Sequence, residues 1–122
     1  MNNKGQALVV FILVLPLLII LAAFIVDNAY MTYKNIELKN VTKDIMKIHL
    51  TKGELSDEEI VNIYKKNNIP TEELIVMKTS SNINIKNTYY TDSIFGKIIG
   101  FKSYEVSTNV TGVLENNKVI FK

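Results

Sequence analysis

Few residues in this chain are equipped for chemistry, and their spacing narrows the choice. His49 is the single histidine and there is no cysteine. Thiolate catalysis, a disulfide framework and a cysteine-ligated zinc are thereby excluded, and a Ser-His-Asp triad or a histidine-rich metal site would hang on one residue. Asp57, Glu58 and Glu59 form an acidic cluster. Clustered carboxylates can hold a cation or relay protons, but these follow Ser56 at the start of a helical pattern, where capping and the helix dipole account for all three. The five glycines (Gly5, Gly53, Gly96, Gly100 and Gly112) never gather into a phosphate-cradling loop. All 14 basic residues are lysines, and 13 of them share residues 27–122 with all 12 acids, a net charge of +1. That balance lacks the basic stripe nucleic acid requires. The residues therefore point to no enzyme, cofactor, metal or nucleic-acid partner.

The element that dominates the chain is apolar. Residues 7–26 are alanine, valine, isoleucine, leucine or phenylalanine throughout, save Pro16. Twenty residues at ~1.5 Å per residue reach about 30 Å, the thickness of a bilayer's hydrocarbon core, so a transmembrane helix with membrane lipid as its surroundings is expected. Ala22, Ala23 and Ala29 offer small residues for signal-peptide cleavage, yet the apolar region of such signals runs to only about 7–15 residues. Pro16 withholds one backbone donor and crowds the carbonyl of Ile12, which predicts a local kink. Asp27 closes the span, as a boundary charge or as a partner for a lysine of a neighbouring subunit.

Beyond Asp27 the helix is expected to continue. Met31, Leu38, Val41, Ile45 and Ile48 keep 3/4 spacing with Lys34 as the one polar break, and Lys39, Lys43 and Lys47 lie on another face. The apolar stripe would pack against the rest of the chain, against like helices in an assembly, or both. Gly53 is the stop signal. Ser56, with Glu59 three residues on and Leu55 and Ile60 as a hydrophobic staple, opens a second helix that ends near residue 67, before Ile69-Pro70. Strands follow. Leu74–Met77 is a short apolar run, and 82–86 alternates with period two. Tyr104, Val106, Thr108, Val110, Gly112 and Leu114 share one face, and Asn116-Asn117 turns into 118–121. The fold class is α+β: a long N-terminal transmembrane helix continuing into an amphipathic helix, a second short helix, then an antiparallel sheet of three to four strands, one face wet and one packed on helices. The layout divides into a polar leader (1–5), a transmembrane helix (6–26), an amphipathic extension (27–52) and an exported α+β domain (53–122). Ile94, Phe95, Ile98, Ile99 and Phe101, interrupted by two glycines, alternate poorly. They form either a buried turn between strands or an exposed apolar loop that contacts membrane or partner.

Gly5-Gln6-Ala7-Leu8-Val9-Val10-Phe11, then Val14-Leu15-Pro16-Leu17-Leu18 and Ile25-Val26-Asp27, resembles the opening of the TadE-like family. These are small pseudopilins of the tight-adherence (Flp-type, type IVc) pilus machinery. The later layout is similar to that of clostridial relatives. The resemblance implies that a prepilin peptidase cuts between Gly5 and Gln6. It further implies that the new helix, with Val10, Phe11, Pro16 and Asp27 as candidate assembly positions, packs with other pilin or pseudopilin subunits and the Tad platform proteins. It places the N-terminus in the cytoplasm and the C-terminal domain outside the cell membrane, with incorporation into a pilus. The lysine count does not favour that orientation, since Lys4 precedes the span while Lys34, Lys39 and Lys43 follow it, but whole domains translocate largely regardless of charge. Val10 departs from the family pattern, which has glutamate five residues past the glycine, paired with a neighbour's N-terminal amine. Either the chain is a minor subunit that caps or initiates an assembly, or it stays uncut as a membrane-anchored binding or sensory module.

Overall fold

The computed structural model describes residues 3–95 and 103–122. Its longest element, α1 (Asn3–Thr51), is one helix of 49 residues, about 73 Å from end to end at 1.5 Å per residue. It starts inside the polar leader and runs unbroken through Pro16. Its two halves have different surroundings. From Ala7 to Val26 only Ala23 is even partly covered, and the apolar side chains stand bare. From Asp27 onward one face is covered. Asp27, Leu38, Thr42, Ile45, Met46 and His49 are buried, with Met31, Val41 and Leu50 packed against them. The expected stripe is therefore present, widened by Thr42, Met46 and His49, and it packs on the chain's own sheet.

α1 ends at Thr51, with Gly53 at φ 142°, a backbone conformation that favours glycine. The short helix α2 (Asp57–Lys66) begins as its sequence dictates, the Ser56 hydroxyl accepting the Glu59 N–H at 3.2 Å. It ends in a Schellman motif. Asn68 sits at φ 59°, its N–H bonds the Lys65 carbonyl, and the Ile69 N–H returns to the Tyr64 carbonyl. Ile69 and Tyr64, the apolar pair such a motif brings together, are both buried. The Tyr64 hydroxyl meets Thr42 of α1 at 2.6 Å, which ties the two helices together.

The sheet has four antiparallel strands in sequence order: β1 (Ile75–Lys78), β2 (Asn82–Asp92), β3 (Ser103–Glu115) and β4 (Lys118–Phe121). β2 runs to Asp92, six residues past the alternation legible at 82–86. Asn87 occupies an inward position and interrupts the apolar pattern, yet the period holds: Ile83, Ile85, Asn87 and Tyr89 all point inward. The Asn87 side chain donates to the Pro70 carbonyl at 3.2 Å. Asn116 and Asn117, at φ 51° and 64°, form a two-residue turn with both central residues left-handed, and Glu115 faces Lys118 across it.

α1 and β3 run in the same direction. Asn35 of α1 accepts the Ser107 N–H at 3.3 Å, and further on Met46 packs over Gly112. Eleven helical residues and five strand residues both cover about 16 Å, so helix and strand stay in step. The outer sheet face is polar along its middle, with Asn84 bonded to Asn109 and Thr111, and Thr88 to Ser107, while Ile75, Met77 and Tyr90 stand exposed on it.

Candidate functional site

Following α1 back from Asn35 leads to the end of the bare apolar run and to the most distinctive polar arrangement in the chain. Asp27 is 1% exposed. Its Oδ1 accepts the backbone N–H of Ile94 at 2.8 Å and that of Phe95 at 3.1 Å, and Oδ2 lies 3.2 Å from the Phe95 nitrogen. Two consecutive backbone donors that leave the sheet after Asp92 thus end on one carboxylate. A buried carboxylate needs such partners, and charge-assisted bonds of this kind are about twice as strong as neutral ones. The arrangement clamps the turn after β2 to the helix at the level where the apolar run stops. One turn further along α1 stand Tyr30, half-buried, and Tyr33, exposed, with the Lys34 ammonium 5.5 Å and 6.0 Å from their ring centres. Lys34 also reaches Glu37 at 3.8 Å.

Among the described residues no nucleophile and base meet at this site. Asp27 is fully engaged with backbone donors, and the tyrosines bring aromatic surface and a cation. The arrangement can hold two segments together and present an amphipathic belt. No protein-family model, curated protein or solved structure matches this chain.

The positions singled out by sequence fall into two separate places. Gly5, Gln6, Val10, Phe11 and Pro16 all lie on the bare half of α1. Gly5 has open space where a side chain would project, and Val10 and Phe11 are each 57% exposed. Gly5 and Asp27 are 22 residues apart on one helix, about 33 Å, so they cannot act together within one chain. Ile94 and Phe95, by contrast, are brought directly to Asp27 and keep exposed side chains. Ile98, Ile99 and Phe101 lie outside the described residues. Asp27, expected as a boundary charge or a partner for another subunit, follows the last residue of the apolar run and turns its carboxylate inward onto its own chain. A signal was present in the sequence. Asp27 precedes Met31 by four residues and Leu38 by eleven, which places it on the buried stripe.

Elsewhere several charged groups hold elements of the fold together. Asp57 pairs with Lys78 at 3.0 Å, and Lys78 also donates to the Leu55 carbonyl. Lys43 and Lys47 lie over the Phe121 ring at 5.1 Å and 5.9 Å. Among the described residues no three histidine, aspartate or glutamate side chains gather as metal ligands. His49 was not anticipated as a structural group. Its Nδ1 accepts the Leu55 N–H at 3.0 Å. Burial, reinforced by Lys78 and opposed by Glu54, lowers its pKa from the ordinary 6.5. Tyr64 is pushed up to about 12 by burial, against the pull of its Thr42 hydrogen bond, so it remains a neutral core phenol.

Proposed function

We propose that this chain is a structural subunit, a TadE-like minor pseudopilin. It is held in a membrane by its apolar helix half and carries its α+β head outside the cytoplasm. The observation that carries the reading is the division of α1: one unbroken helix whose first half is bare apolar surface and whose second half is part of the head's core. Bare halves can enter lipid, where a helix satisfies its own backbone and each central leucine, isoleucine, phenylalanine or valine contributes about −0.3 to −0.6 kcal/mol. They can equally pack side by side, with the heads carried along because no joint separates them from the rod. The resemblance of Gly5 to Asp27 to the TadE-like opening supplies the machinery: a prepilin peptidase acting between Gly5 and Gln6, neighbouring pilin or pseudopilin subunits, and the Tad platform proteins.

Val10 favours a second reading. Without a carboxylate at that position the helix lacks the group that would attract a neighbour's amine, and an uncut, membrane-tethered binding module needs no such group. Intact mass of the protein from native membranes separates the two. Loss of residues 1–5, leaving Gln6 as the new terminus, is the expected result for the pseudopilin. The full chain supports the tethered module. Loss of the whole apolar run would mean a cleaved signal peptide and would overturn both readings.

A further inference from the structure

We propose that Ile94 and Phe95 form a second membrane contact, a small apolar wedge that the Asp27 carboxylate pins at the lipid surface into which the apolar half of α1 inserts. The inference rests on the membrane-anchored reading given above. Asp27 directly follows Val26, the last residue of the apolar run, so in an inserted helix it sits where hydrocarbon gives way to headgroups. The Ile94 and Phe95 nitrogens lie 2.8 Å and 3.1 Å from its Oδ1, which fixes that backbone at the same depth.

Side chains on a helix tilt toward its N-terminus, so the Asp27 carboxylate leans toward the membrane and draws the turn with it. Ala23, one helical turn deeper on the same face, is the one residue from Ala7 to Val26 that is partly covered. Ile94 is 50% exposed and Phe95 37% exposed, large apolar side chains left uncovered by the chain's own fold. Tyr30, Tyr33 and Lys34 stand at the next level of α1, the residue types that favour the headgroup layer. The occupant that fits this place is the bilayer itself. A helix fixes the height of the head but leaves its tilt free, and a second apolar contact beside the span defines which side of the head faces the membrane.

The chain has no tryptophan, so single tryptophans report local surroundings without background. Three variants of the full chain, Phe24→Trp, Phe95→Trp and Met77→Trp, are reconstituted into phosphatidylcholine–phosphatidylglycerol vesicles containing lipids brominated near the headgroup end of the acyl chains. Phe24 lies in the span, and Met77, exposed on β1, pairs with Asn84, eight residues along β2 from Asp92 and about 26 Å from its membrane end. The expected result is blue-shifted emission from Phe95→Trp with quenching several-fold greater than for Met77→Trp. Combining Phe95→Trp with Asp27→Leu should move emission to the red and reduce quenching, while the Phe24→Trp signal in an Asp27→Leu background holds. Quenching of Phe24→Trp with none of Phe95→Trp overturns the wedge and leaves the anchor intact. Absence of quenching at both positions overturns the anchored reading itself. A blue-shifted Phe95→Trp that lipid bromines do not quench means that a second protein surface covers it, and this also overturns the wedge.

Discussion

At the scale of single residues, the fold depends on a few polar groups placed where apolar ones would be expected. Asp27 lies on a buried stripe and is tolerated because two backbone donors meet it; without it, two part-buried N–H groups would lose their partner, each at less than the roughly 1–3 kcal/mol of a fully buried donor. His49 closes the far end of the same stripe as an acceptor for the Leu55 N–H, a role open only to the neutral ring at Nδ1. Because its pKa is lowered from 6.5 in the folded state, the unfolded chain binds the extra proton first. The contribution of His49 to stability is therefore fully present above pH 6.5 and is lost as pH falls through the folded value. Thermal unfolding of the head in detergent, followed from about pH 7.5 to about pH 5, above the range where most carboxylates titrate, should show a falling melting temperature. His49→Asn, which keeps an acceptor without a titrating ring, should flatten that dependence while lowering stability at neutral pH through imperfect geometry. An unchanged slope in His49→Asn would assign the acid sensitivity to another group.

At the scale of elements, α1 packs closely along β3. A Cβ built on Gly112 would lie 3.1 Å from the Met46 Sδ, 3.3 Å from its Cβ and 3.3 Å from the Leu50 Cδ1, so Gly112 lets the strand approach the helix. Gly112→Val should cost about 1–3 kcal/mol by overpacking, read as a lower melting temperature by near-ultraviolet dichroism of the tyrosines. The penalty should shrink when Met46→Ala is already present, a coupling that a double-mutant cycle isolates; equal penalties in both backgrounds would place the strain elsewhere. The sequence pattern disclosed much of this architecture. The stripe on α1, the Ser56 cap, the inward face from Tyr104 to Leu114 and the Asn116-Asn117 turn were legible because each follows from local periodicity or turn chemistry. The second half of β2 was not, because Asn87 breaks the apolar alternation and its side-chain nitrogen finds its acceptor in Pro70, 17 residues away in sequence. The Asp27 clamp was hidden for the same reason: its partners are backbone groups 67 and 68 residues further on, and backbone donors leave no mark in a sequence. Only the position of Asp27 on the buried stripe hinted that it turns inward.

At the scale of the whole molecule, the bare half of α1 is the large uncovered apolar surface, and on the proposed function Val10 is the position where it departs from the TadE-like pattern. Val10 stands exposed on that half, available to lipid or to a neighbouring helix. A subunit that caps or starts an assembly has no neighbour beyond it whose amine must be met, so valine there is economical. An internal subunit would gain from a carboxylate that pairs with the next chain. Val10→Glu distinguishes these cases. An unpaired acid at the centre of a membrane helix costs roughly 2.5–3.5 kcal/mol on translocon scales, and less near the interface, where Val10 lies three residues from the start of the apolar run. In a capping subunit the substitution should leave the amount of tagged protein in sheared surface pili unchanged or lower, at matched expression, with slightly weaker membrane insertion. In an ordinary subunit that has lost its glutamate, restoring it should raise incorporation, and a clear rise would sink the capping role. Absence of both forms from pili that assemble normally without the protein would favour the tethered module, for which the bare helix serves only as an anchor and glutamate at this position brings the insertion cost with no compensating partner.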